Sequence, residues 1–152
     1  MSLVSDITTI CNTLYPNSSF ILASQFKANV EVFDLENSNF PVIILDNELS
    51  TDEEIQPNAH ILSRNKIVMT FLNKDDFDTT DAQSEAIVEV MRLYARRVFV
   101  NIYKLSKIRL KKGTLQKFKL TPVFKVSNSI LSGVIGVMEA SEDLTVNWCL
   151  TP

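Results

Sequence analysis

The sequence predicts an α+β domain, a mainly antiparallel sheet packed by one long central helix and a short N-terminal helix. Two stretches, residues 3 to 14 and 80 to 104, repeat apolar side chains every three or four positions, which is the period of one helix face. The other apolar runs are short, rich in valine, isoleucine and phenylalanine, and either alternate with polar residues or stay apolar throughout, as strands do. At 152 residues the chain fits one domain with its own core, and no repeat, low-complexity segment or linker divides residues 1 to 152.

Taken in order, "LVSDITTICNTLY" sets Leu3, Ile7, Ile10, Cys11 and Leu14 on one helical face, with Ser2 or Ser5 available as an N-cap and Pro16 beyond the end. "FILASQF" and "ANVEVF" follow a "PNSS" turn, and Val30 and Val32 flank Glu31 in the alternation of a half-buried strand. "FPVIILD", residues 40 to 46, opens with Pro41 and is apolar throughout, which predicts a strand buried on both faces. "NELSTDEEIQPNA" carries four acids and Pro57 and offers little to bury, so residues 47 to 58 read as an exposed acidic loop. "HILSRNKIVMTFLNK" alternates Ile61, Ser63, Ile67, Met69 and Phe71 against Val68, Thr70 and Leu72, a long strand that pairs with the run before the loop.

The strongest helix signal is "TTDAQSEAIVEVMRLYARRVFVNIYKL". Thr80 with Gln83 three residues on forms the pattern of a capping box. Asp81, Glu85 and Glu89 crowd the start while Arg96, Arg97 and Lys104 lie toward the end, the order the helix dipole favours. Ile87, Val90, Met91, Tyr94, Val98, Phe99 and Ile102 make the expected apolar stripe. A helix of roughly 22 residues, rising about 1.5 Å per residue, crosses a whole small sheet. Beyond it, "SKIRLKKGTLQKFKL" sets Gly113 between two lysine-rich alternating stretches, a basic hairpin or an exposed arm over about residues 104 to 120. "TPVFKV" and "SGVIGVMEA" read as short strands around "SNSIL", and "LTVNWCL" as a last one.

The net charge of −3 conceals a segregation along the chain. Residues 1 to 89 hold 15 acidic and 4 basic side chains, residues 90 to 138 hold 11 basic and no acidic ones, and residues 139 to 152 hold three acids. Such asymmetry points to a polyanion facing the basic part or to a neighbour presenting the opposite sign. No apolar run reaches the ~18 residues of a membrane span, and the N-terminus lacks the basic start and apolar core of a signal peptide. The protein is therefore expected in the cytoplasm or released by lysis, away from membranes. Cys11 and Cys149 are too few for a disulfide framework and read as small buried apolar residues.

Residues that carry chemistry are sparse. Three glycines leave no glycine-rich phosphate loop, and no cofactor is expected. The single histidine, His60, has no cysteine or carboxylate at metal-ligand spacing. No serine sits in GxSxG, and "SGVIGV" lacks the strand-to-helix elbow of a nucleophile. "NKDDFDTTD" gathers Asp75, Asp76, Asp78 and Asp81, but without the central glycine and closing glutamate of a calcium loop these acids read as a solvated helix start rather than a Mg²⁺ or Ca²⁺ site. No catalytic and no metal-binding residue is assigned, and no enzymatic activity is expected. The basic stretch offers Arg109, Lys111, Lys112, Lys117 and Lys119 as contacts to another subunit or to DNA phosphates, although Phe118 alone is a poor base-stacking platform.

The order of elements (helix, strand region, "FPVIILD", acidic stretch, long strand, long capped helix, C-terminal strands) resembles the small tail-terminator and tail-completion proteins of tailed bacteriophages, across about residues 3 to 149. The C-terminal stretch is similar to a "P-V-(aromatic) … N … L-(S/T)-G-V" ending in tail and neck proteins of phages of gut Bacteroidetes, including crAss-like phages. Here it runs through Pro122, Val123, Phe124, Asn128, Leu131, Ser132, Gly133 and Val134. The basic insertion from Lys104 to Lys119 is longer and more charged than that family's pattern. The resemblance implies a non-enzymatic virion protein, assembled in the host cytoplasm, that forms a homo-oligomeric ring, a hexamer or higher, at the junction of tail and neck. It further implies contact with neck, connector or tail proteins, and with DNA in the lumen without sequence specificity. The alternative is a small nucleic-acid-binding module using residues 104 to 125, and a metal-dependent nuclease using the aspartate cluster is a third.

In the C-terminal third, Gly133 and Gly136 have no polar groups converging on them in the sequence pattern, so they predict a strand bend or close backbone approach. Trp148 is expected to anchor core or interface.

Overall fold

The computed structural model describes residues 3–23, 40–46, 50–57, 60–105, 117–126 and 130–144. Its elements are helix α1 (Leu3–Leu14), strands β1 (Ser19–Leu22), β2 (Val42–Leu45), β3 (Ser50–Gln56) and β4 (His60–Lys74), helix α2 (Asp81–Tyr103), and strands β5 (Phe118–Val126) and β6 (Leu131–Leu144). The chain is α+β as expected. The six strands form one sheet in the order β1-β2-β4-β6-β5, with β3 beside the first half of β4. It is mixed rather than wholly antiparallel, because β1 and β2 run parallel while the other pairs are antiparallel. Among the described residues no helix is long and apolar enough to cross a membrane.

β4 and β6 form the spine of this sheet, paired without interruption from Ile61↔Leu144 to Lys74↔Leu131. β2 lies against residues 69–72 of β4 and β3 against residues 60–66, so the two share one flank of the spine. β5 covers the other flank, from Phe118↔Met138 to Val123↔Gly133, before a register shift. β3 and β5 thus occupy diagonally opposite corners of the sheet.

The larger core lies between one sheet face and the two helices. Ile43, Leu45, Ile67, Met69, Phe71, Val134 and Met138 from the sheet meet Ile7 and Cys11 of α1 and Val88, Met91, Ala95, Val98, Phe99 and Ile102 of α2. Val42, Ile44, Leu72 and Leu131 form a smaller cluster with Ala23 on the other face. Alternate residues of β2 therefore serve two clusters, the physical reason for its unbroken apolar run. Tyr15 stacks on Tyr94 with centroids 4.0 Å apart and ties the end of α1 to α2.

α2 begins as its sequence dictates. Thr80 Oγ1 accepts from the Gln83 backbone N–H, and the Gln83 side chain accepts from the Thr80 N–H. The expected apolar stripe needs one correction: Val90 points outward at 45% exposure, and Val88 and Ala95 are buried in its place. Ile87 and Tyr94 are half-buried at the stripe's edge.

One expectation about a loop is also corrected. Of the expected acidic loop over residues 47 to 58, residues 50–56 form strand β3, paired with β4 from Ser50↔Lys66 to Gln56↔His60. Thr51 to Ile55 are exposed, so there is no buried face along this stretch to impress alternation on the sequence. Of the expected basic hairpin or arm over residues 104 to 120, residues 118–120 belong to strand β5, and residues 106–116 lie outside the described residues. The spans 24–39, 106–116 and 145–152 lie outside the described residues, and with them "ANVEVF", Gly113, Cys149 and Trp148.

Candidate functional site

The densest polar cluster joins the loop before α2 to the β5–β6 end of the sheet. Asp75 follows β4, and its two carboxylate oxygens accept four hydrogen bonds. Ser132 Oγ of β6 and Ser84 Oγ of α2 donate to Oδ2 at 2.6 and 2.7 Å. Thr79 Oγ1 and the Asp76 N–H donate to Oδ1 at 2.6 and 2.8 Å. The Asp75 N–H donates in turn to the Ile130 carbonyl at 3.0 Å. Partial burial alone would raise the Asp75 pKa, but the hydrogen bonds from Ser132, Ser84, Thr79 and the Asp76 N–H outweigh it and hold the carboxyl well below the usual carboxylate range.

Lys125 of β5 completes the cluster. Its backbone N–H donates to Ser132 Oγ at 2.9 Å, and its ammonium donates to the carbonyls of Phe77 and Thr79 at 3.2 and 2.9 Å. The Lys125 backbone is left-handed at φ 47°, an uncommon conformation for a residue with a side chain. An Asp–Ser–Lys set invites comparison with a nucleophile and its base, but the geometry is that of a clasp. Ser132 is fully buried, its hydroxyl accepts from Lys125 N–H while donating to Asp75, and the lysine amine is spent on carbonyls rather than aimed at the hydroxyl. A carboxylate with a depressed pKa is also a weak base for a hydroxyl proton.

The sequence pattern missed this cluster because its members lie 9 residues apart (Asp75 and Ser84) and 57 apart (Asp75 and Ser132). The only legible trace was the aspartate group itself. That group does not assemble: Asp75 turns into the clasp while Asp76, Asp78 and Asp81 are exposed. Among the described residues no three His, Cys, Asp or Glu side chains are placed to share a metal ion.

Of the five basic contact candidates, Lys117 and Lys119 are exposed at the start of β5, on one edge of the sheet, while Arg109, Lys111 and Lys112 lie outside the described residues. The opposite edge is β3, where Asp52, Glu53 and Glu54 are exposed. One of these acids is answered within the chain, by Arg64 Nη2 at 3.3 Å from Glu54 Oε1, with both side chains about half exposed. The two sheet edges therefore carry opposite charge, and Ile55 on the acidic one is 83% exposed.

A second surface lies on α2, on the side away from the core. Val90, Leu93, Val100 and Tyr103 are 45, 53, 44 and 46% exposed. Ala82, Ala86 and Arg97 share this side and are exposed too. The glycines, by contrast, belong to packing. A Cβ at Gly133 would lie 1.8 Å from the Phe71 carbonyl oxygen, and one at Gly136 would lie 2.5 Å from the Phe99 ring. Cys11 is buried, which pushes its thiol up to about 12, out of the reactive range. No protein-family model matches this chain, and no curated protein matches it.

Proposed function

We propose that this protein is a non-enzymatic assembly component that closes into a ring of identical subunits at the tail/neck junction of a tailed phage. The element order and the C-terminal "PVF…N…LSGV" pattern support the phage setting through their resemblance to tail-terminator proteins. The observation that carries the assembly reading is the opposite charge of the two sheet edges, acidic along β3 and basic at the start of β5.

A ring needs two different faces on each subunit that complement one another. Two β3 edges repel, two β5 edges repel, and only β3 against β5 of the next copy attracts, which selects head-to-tail contacts over two-fold ones at these edges. The lengths agree: β3 has seven residues, and the regularly paired part of β5 runs from Phe118 to Val123.

Sedimentation velocity over a range of salt tests the reading. The wild type should form a discrete closed oligomer that weakens as salt rises, and Asp52→Lys with Glu53→Lys should dissolve it. Restoration by Lys117→Glu with Lys119→Glu is the specific outcome expected. A monomer that instead co-sediments with a DNA duplex at low salt, and loses it on reversal of Lys117 and Lys119, replaces the ring with the nucleic-acid-binding module.

A further inference from the structure

The apolar stripe on the outward side of α2 is not explained by the ring contact, which uses the sheet edges. We propose that this stripe is a second, two-fold interface, on which α2 of another copy of this chain packs antiparallel.

Three observations choose this occupant. First, the stripe lies opposite the buried face and is broken only by Arg97. Val90 and Leu93 lie one turn apart, Val100 two turns further, and Arg97 fills the turn between. From Ala86 to Val100 the spacing is four, three, four and three residues, the repeat that lets two helices mesh side chains along their length. Isolated exposed apolar residues are ordinary, but a row of them on one helix face is not.

Second, charge is ordered along α2. Its first half exposes Asp81, Glu85 and Glu89, and its second half carries Arg92, Arg96 and Arg97, with Lys104 just past the end. Parallel packing sets like charges side by side, whereas antiparallel packing sets the acidic half of each helix against the basic half of the other. Glu89 already pairs with Arg92 of its own helix through one carboxylate oxygen, and among the described residues the second has no ion-pair partner, which lets it take a guanidinium from across the contact.

Third, one register joins the apolar centre of the stripe and the charges beside it. With the two-fold axis passing between residues 91 and 92, Val90 meets Leu93 of the second copy and Glu89 meets Arg96. Each contact occurs twice. The α2 outer face spans about 20 Å from Val90 to Tyr103 at a 1.5 Å rise per residue, so the contact is of the smaller, reversible class.

Sedimentation equilibrium of the full chain over a concentration series reads the interface directly. The wild type should associate in even multiples, and Leu93→Lys should halve the assembled mass; at concentrations low enough that both proteins are dissociated, the thermal unfolding midpoint should be the same, since Leu93 is 53% exposed. Glu89→Arg alone should weaken association at least tenfold, and Glu89→Arg with Arg96→Glu should recover it. Association unchanged by Leu93→Lys, a wild type that stays monomeric, or a double variant no stronger than the single one would each overturn the proposal. The ring reading fails separately: if reversal of Asp52 and Glu53 changes nothing while Leu93→Lys yields monomers, the two-fold contact stands and the ring falls.

Discussion

At Gly133 the backbone of β6 runs so close to β4 that no side chain fits, since a Cβ would meet the Phe71 carbonyl oxygen head on. Backbone cannot step aside as a side chain end can, so Gly133→Ala should cost about 3 kcal/mol or more, measured by denaturant unfolding. Gly136 is a milder case. Its missing side chain is filled by the Phe99 ring, which can tilt away at some cost in core packing. The same scale holds the Asp75 clasp. Ser132→Ala removes a charge-assisted hydrogen bond from a buried position and should destabilise by about 2 kcal/mol at neutral pH. Because the folded-state pKa of Asp75 lies below its unfolded value, its contribution is complete above about pH 4, the range of an ordinary carboxyl, and is lost as pH falls toward the folded value. The stability gap between wild type and Asp75→Asn should therefore shrink on acidification below pH 4, and a gap that widened there would contradict the clasp.

The elements differ in how far the sequence discloses them, and the difference is physical. β2 and α2 were legible because each writes its burial into its residues: an unbroken apolar run for a strand sandwiched between two clusters, and a capping box with helical spacing for α2. β3 was not, because an edge strand with exposed residues is held by backbone pairing to β4, and backbone hydrogen bonds leave no mark on side-chain order. Val90 was misassigned for a related reason. Apolar residues on the outward side of a helix mimic a core stripe, and only packing separates Val88 from Val90. The clasp was hidden because Asp75, Ser84, Lys125 and Ser132 are brought together by the sheet and not by spacing. A paired test follows at this scale: Val88→Ala should cost about 2 kcal/mol through lost burial and a cavity, while Val90→Ala should stay within about 0.5 kcal/mol in the isolated subunit. Thermal melts of the two variants at low concentration check it.

Across the whole molecule the charge segregation read from the sequence becomes geometry. Acids gathered before residue 90 supply the β3 edge and the start of α2, and bases after residue 90 supply the end of α2 and the start of β5. Folding thus turns one linear asymmetry into two surfaces, a sheet with unlike edges and a helix with unlike ends, on which the two proposed contacts rest. The unlike edges suit a head-to-tail chain of subunits that closes, while the unlike ends of α2 suit an antiparallel pair. Salt acts on both, and it should act more steeply on the edges, where exposed charges dominate, than on the α2 stripe, where apolar contact persists.

The proposed ring depends on oppositely charged sheet edges joining copies into a closed assembly. Sedimentation velocity of the wild type and of the Asp52→Lys, Glu53→Lys variant, at low and high salt, tests it most directly. One discrete oligomer is expected for the wild type at low salt, with its loss on reversing the β3 charges and its return when Lys117 and Lys119 are reversed as well. A wild-type assembly that keeps its size after the β3 reversal, or a chain that never associates at low salt, would contradict it.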